Sequence, residues 1–249
     1  MFIPRFNGAL LAIALVSTAA LCRPESAESG PSFGLSASQI VDQMQSRDLE
    51  RTQELKFYKA LRHYEVAYRG FSNKVEARMD VAVDYDLSSG KNLVIVSQSG
   101  SKFLIEKVLK RAVDSEREAF QQKKTTALTT ANYRFRLLGR ETLGGRSAYV
   151  LDVEPLVPSK FLYRGKIWVD AADYAMVKME TEPAKSPSFW ISRTQIHYTG
   201  AKTGGFWMPQ QVVSETSVRI GGVAVLTINY GNYQFSTNPP PDVQAALQP

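Results

Sequence analysis

Two short strings in this chain hold residue types that could do covalent chemistry. Ser99-Gly100-Ser101-Lys102 has the form S-x-x-K and Lys202-Thr203-Gly204 the form K-T-G, the nucleophile and cationic motifs of penicillin-binding enzymes. Such chemistry needs Ser99 at the start of a helix with Lys102 beside its oxygen, and the second string on an adjacent strand. The first string reads instead as a turn between strands and the second as a Gly-rich turn, and no S-D-N string separates them. The only histidines, His63 and His197, fall on the polar side of alternating segments, away from any cluster at metal-ligand spacing. Asp170 and Asp173 bracket a hairpin turn, where an Asp carboxylate ordinarily accepts from nearby backbone amides. Nothing beside them completes an acid–base pair. The expectation is a protein without turnover, metal or cofactor.

The ends of the chain say where it works. Met1 to Asn7 carries Arg5, Gly8 to Val16 is apolar, and Ser17 to Ala20 are small residues. This is the layout of a secretory signal peptide, and its apolar run falls short of the roughly 20 residues that cross a bilayer. Cleavage fits after Ala20 or after Cys22, giving a signal over residues 1–22. Cys22 also fits an acylated, lipid-anchored N-terminus, but bulky Leu21 stands where a small residue normally precedes such a cysteine, which favours soluble export to the periplasm. Cys22 is the only cysteine, so a single core must hold the exported chain without an intrachain disulfide. Residues 23–34, rich in Ser, Pro, Glu and Gly, read as a flexible tether. Residues 35–237 read as one domain, and 238–249, with Pro239-Pro240-Pro241, as a tail unable to enter a sheet interior.

The net charge of +6 and pI of about 9.3 raise the question of nucleic acid. Basic and acidic residues are mixed along the chain without an aromatic-interleaved basic strip, so no nucleic-acid partner is expected. In an exported protein such charge suits anionic membrane surfaces or acidic partners.

The periodicities set the fold. Ser36 with Gln39 forms a capping box ahead of Ile40, Val41 and Met44 at helical spacing. From Leu61 to Tyr85 the period becomes two, as in a long hairpin, and Asn92 to Ser97 adds a strand. Phe103 to Gln122 again has helical spacing, with Leu104, Val108, Leu109, Ala112, Val113 and Phe120 on one face. Lys107, Lys110, Arg111, Glu116 and Glu118 fall on the other. Seven alternating segments follow between Tyr133 and Phe235, divided by Gly144-Gly145, Ala171-Ala172-Asp173, Gly204-Gly205 and Gly221-Gly222. So many strands must curl, close or split as twist accumulates. With two helical segments as cover, the predicted fold is mainly antiparallel β (α+β): a strongly curved, open half-barrel sheet with helices over its concave face.

Particular strings carry a resemblance: Tyr149-Val150-Leu151-Asp152-Val153-Glu154, Gly165-Lys166-Ile167-Trp168-Val169-Asp170, Val177-Lys178-Met179-Glu180 and the Tyr230 to Phe235 ending. With the helix-first layout, they resemble the periplasmic outer-membrane lipoprotein-sorting, or lipoprotein carrier-like, superfamily. That resemblance implies the same curved sheet with a helical lid, and capture of acyl chains of lipoproteins or lipids in an apolar concavity. Burial of ~0.8 kcal/mol per CH₂ gives on the order of 10 kcal/mol gross for a long acyl chain, less association and ordering costs. No arginine aligns with a ligand-handling arginine of the carriers.

The alternation assigns faces. Tyr149, Leu151 and Val153 share one, as do Ile167 and Val169, Val177 and Met179, Ile196 and Tyr198, and Leu226, Ile228 and Tyr230. These are the expected apolar lining, and the same residues would serve as core beneath the helices. Trp168 faces away from Ile167, and with Phe189 and Trp190 it is the candidate contact for envelope membrane proteins. The alternative to a lipid carrier is a monomeric interaction or envelope-stress-sensing module of the same fold without lipid cargo.

Overall fold

The structure, a computed structural model, describes residues 34–70, 74–121, 126–159, 161–186, 189, 191–219 and 221–237. The signal sequence with Cys22, the tether up to residue 33, Trp190 and the tail from residue 238 lie outside the described residues.

Helix α1 (Ala37–Glu54) begins as its capping box requires. Ser36 Oγ accepts from the Gln39 amide at 3.2 Å, and Gln39 Oε1 accepts from the Ser36 amide at 2.8 Å. Two otherwise open donors of the first turn are thereby satisfied. Ile40, Val41 and Met44 are buried and join the main core.

Ten strands follow: β1 (Phe57–Arg69), β2 (Lys74–Asp86), β3 (Gly90–Gly100), β4 (Tyr133–Leu143), β5 (Arg146–Pro155), β6 (Tyr163–Asp170), β7 (Met176–Pro183), β8 (Ile191–Thr203), β9 (Phe206–Val218) and β10 (Val223–Ser236). They form one antiparallel sheet in the order β3-β2-β1-β10-β9-β8-β7-β6-β5-β4. Most neighbours are consecutive hairpins. The exception is the pairing of β1 with β10, from Phe57 opposite Ser236 to Arg69 opposite Val223, which joins the two runs of hairpins in the middle of the sheet. β3 and β4 are left as its edges, so the sheet is open. Between them in sequence run α2 (Lys102–Leu104), a π-helical turn (Ile105–Leu109) and α3 (Lys110–Gln121), end to end. Leu104, Ile105, Leu109, Ala112 and Val113 from this segment meet the inner face of the sheet in the same core as α1. The expected curved, open sheet with helical cover is the fold observed.

Four local expectations are corrected. Ser99-Gly100-Ser101 does not turn between strands, because β3 runs through Gly100 and Ser101 caps the helix that starts at Lys102, its Oγ accepting from the Leu104 amide. Glu116, expected on the solvated face, is 8% exposed. It lies four residues past Ala112 and seven past Leu109, within the buried stripe rather than opposite it. Val177 does not share a face with Met179: the β6–β7 register shifts between Trp168 and Val169, so Val169 pairs with Met176 and Val177 packs on the outer face with Ala148, Val150 and Trp168. Trp168 itself is buried in that outer cluster, under the Lys178 ammonium at 4.2 Å and with Nε1 donating to Glu141 at 2.8 Å. It offers no exposed ring to a partner.

Candidate functional site

Strand alternation sends side chains of β5, β6, β7, β8 and β10 to the concave face. There Tyr149, Leu151, Val153, Ile167, Val169, Met179, Ile196, Tyr198, Leu226, Ile228 and Tyr230 are all buried in one cluster with α1 and the π turn. The structure thus brings together eleven of the twelve residues expected on the lining, Val177 being the one on the other face. All eleven share that cluster with Ile40, Val41 and Met44 of α1. Tyr198 reaches an open cavity.

This cavity, of about 90 Å³, lies at the seam between the C-terminal half of α1 and the sheet. Asp48, Arg51, Thr52 and Leu55 line it from the helix side, and Tyr58, Met176, Tyr198, Phe206, Trp207 and Met208 from the sheet. Its walls are soft and aromatic. Tyr58 stacks on Tyr85 at 4.9 Å and Phe206 meets Phe235 at 5.1 Å, while the methionines are unbranched and adapt to irregular apolar shapes. Burial raises the hydroxyl pKa values of Tyr58 and Tyr198, so both stay neutral. A hollow of about 310 Å³ among Thr126, Asn132, Leu156, Val157, Phe161 and Leu162 is built from connecting segments and has no part in the seam.

At one corner of the seam cavity stands Lys91, the entry to a buried ionic cluster. Glu116 of α3 accepts from Arg62 of β1 through both carboxylate oxygens and from Lys91 Nζ at 3.1 Å. Arg62 also donates to Tyr64 Oη at 3.4 Å and lies over the Tyr230 ring at 4.9 Å. Burial alone would raise the Glu116 carboxyl, but Lys91 and Arg62 outweigh it and hold the pKa at about 2. Burial also pulls Lys91 down to about 8 against the pull of Glu116. Sequence reasoning missed this cluster. Its signals were an arginine on the inward parity of β1 and a glutamate in the apolar stripe of α3.

The other end of the seam is held by the β6–β7 turn. Asp170 is buried and paired with Arg146, whose Nε and Nη2 donate at 2.6 and 2.8 Å, and it accepts from the Ala172 and Asp173 amides. Burial would raise the Asp170 pKa, and these donors lower it instead. Asp173 Oδ2 accepts from Arg146, Lys202 and Trp207 Nε1, and its carbonyl accepts from Arg51 of α1 at 2.8 Å. The two aspartates are turn-formers that fasten α1. Lys202 is engaged here in β8, while Ser99 lies in β3 with four strands intervening, so the S-x-x-K and K-T-G strings are not neighbours. His63 bonds Asp80 at an exposed site and His197 is exposed. Among the described residues no three His, Cys, Asp or Glu side chains converge as a metal set. No helix among them is long and apolar enough to cross a membrane.

No family model matches the sequence, and no curated protein matches it either. Solved structures do. A DUF1329 family protein from Desulfovibrio piger is 12% identical with a TM-score of 0.44, covering 85% of this chain and 99% of its own. An outer membrane lipoprotein-sorting protein domain from Vibrio parahaemolyticus is 14% identical with a TM-score of 0.40, covering 81% and 94%. A LolA superfamily protein from Nitrosomonas europaea is 14% identical with a TM-score of 0.35, covering 82% and 96%. All three are distant likenesses, at most 14% identical and with TM-scores below 0.5.

Proposed function

We propose that this chain is an exported periplasmic binding protein that shields acyl chains of lipoproteins or lipids between α1 and the concave sheet, without turnover. The observation that carries the reading is the seam cavity. It has a helix as one wall and the sheet as the other, so displacing α1 enlarges it without breaking a strand pair. At about 90 Å³ it is smaller than the roughly 300–1,000 Å³ of ordinary ligand pockets, so the loaded form is one in which α1 has moved outward. The buried apolar stripe from Tyr149 to Tyr230 is the surface that an acyl chain would then meet.

A second reading, an interaction or stress-sensing module without cargo, draws on two observations. The interior is largely filled by its own helices, and Phe189, 73% exposed with the Arg219 guanidinium 5.0 Å over its ring, presents an aromatic contact to a partner. One experiment separates the two. The chain from Arg23 onward is purified from an exporting host without detergent and weighed by native mass spectrometry before and after organic extraction. A carrier yields an acyl-bearing adduct that is lost in Thr52→Trp, which fills the cavity from its half-exposed helix side with the circular dichroism unchanged. A clean apo mass, with no uptake of fatty acid, phospholipid or lipopeptide, would overturn the carrier reading and leave the interaction module.

A further inference from the structure

The ionic groups at the two ends of the seam cavity differ in their charge balance. At the β6–β7 end, Arg51, Arg146 and Lys202 are set against Asp48, Asp170 and Asp173, three cations to three carboxylates. At the β3 end, Arg62 and Lys91 share Glu116, and all three side chains are at most 10% exposed. As a set, these three groups carry one positive charge in excess. Asp84 and Asp86 of the adjoining β2 are engaged with Lys59 and Ser88, and Asp114 of α3 with Arg117. The tyrosine hydroxyls around the cluster supply no negative charge, because burial raises the pKa values of Tyr58, Tyr64 and Tyr230. Lys91, at about 8, is mostly protonated at pH 7. A positive excess held out of water is costly until an anion joins it. Of the three groups, Lys91 is the one that lines the cavity.

From Lys91 on β3 the sheet-side wall of the cavity continues through Tyr85 on β2 and Tyr58 on β1 to Met208 on β9, Tyr198 on β8 and Met176 on β7, in the order of the strands. A molecule laid along this wall has one end at a cationic corner and the rest on rings and thioethers. Resting on the carrier reading, we propose that Lys91 holds the head group of the ligand and that the ligand is a free long-chain fatty acid. Its carboxylate joins Glu116 on the Lys91 ammonium, and its chain runs beneath α1 toward Tyr198. Charge and size select that class. One negative charge brings the three groups to neutrality, which an alcohol, an ester or an amine cannot do. An ammonium carries three donors, so holding Glu116 does not bar Lys91 from a second carboxylate. From a cavity of about 90 Å³, one chain asks a smaller displacement of α1 than the two chains of a phospholipid.

The test is titration calorimetry of the exported chain, stripped of lipid, with dodecanoate, 1-dodecanol, dodecylamine and dodecyl phosphate at pH 7. Dodecanoate is expected to bind at least about tenfold more tightly than the alcohol or the amine, the worth of one charge-assisted hydrogen bond. Lys91→Met and Lys91→Gln, each checked for folding by near-ultraviolet circular dichroism, are expected to lose that preference while still binding the alcohol. Lys91→Arg is expected to keep it. Equal affinity for acid and alcohol, or a preference that survives both neutral variants, overturns the head-group site and leaves the carrier reading standing. Tighter binding of dodecyl phosphate than of dodecanoate overturns the choice of a carboxylate. Binding of none of these amphiphiles overturns the proposal together with the carrier reading.

Discussion

Helices α1 and α3 cover the same concave sheet but are tied to it by different chemistry. α1 is held by Ile40, Val41 and Met44 and by Arg51 donating to the carbonyl of Asp173, an acceptor that does not titrate. α3 is held by Glu116, whose carboxylate is gripped by Arg62 and Lys91 inside the protein, and by Arg117 donating to the Leu93 carbonyl. Lifting α1 exposes apolar surface that a ligand can cover again. Lifting α3 separates buried charges that no acyl chain can satisfy. On the proposed carrier reading α1 is the lid and α3 the fixed strut, and the open cavity lies beside α1.

The comparison can be broken at the strut first. Glu116→Leu leaves Arg62 and Lys91 buried without their shared acceptor, and a loss of about 3–5 kcal/mol in urea denaturation is expected. Combining it with Arg62→Met and Lys91→Met should restore most of that stability. Acid tests the same grip without mutation. The Glu116 pKa is held at about 2 against an ordinary 4.5, so its contribution is complete above about pH 4.5 and is lost as pH falls toward 2. The expected loss over that window is on the order of 3 kcal/mol, and it should vanish in the triple variant when the two unfolding curves are compared across pH.

Smaller effects sharpen the other side. Asp170→Ala removes the acceptor for Arg146 and two turn amides, for about 2 kcal/mol by the worth of hydrogen bonds to a charged group. Arg51→Met removes the tie from α1 to the turn together with a 3.8 Å ion pair to Asp48 within the helix, for about 1 kcal/mol. That last variant should be nearly as stable as the parent yet take up a fluorescent fatty acid faster in stopped flow. Unchanged uptake would show that α1 is not the lid.

Much of this arrangement was legible beforehand because it is local. Ser36 and Gln39 announced the start of α1, period-two alternation announced the strands, and paired glycines announced the hairpins. What escaped was set by distant partners. Val177 alternates correctly with Met179 in sequence, and only the bulge opposite Val169 turns it outward. Trp168 reads as an exposed outer-face anchor until Lys178 and Glu141 close over it. Arg62 and Glu116 stand 54 residues apart, and each looks ordinary until strand and helix bring them into one buried site. The pairing of β1 with β10 is likewise invisible to any window shorter than the domain.

That pairing sets the order in which the molecule can be assembled. A chain emerging from its N-terminus presents β1, β2 and β3 as a three-stranded unit with Tyr64, Val66, Met79 and Val81 uncovered. The unit cannot dock on the remainder until β10, ending at Ser236, has arrived. Non-local closure of this kind slows folding and prolongs exposure of apolar strands. The nascent protein is therefore for a time itself an apolar segment in need of shelter.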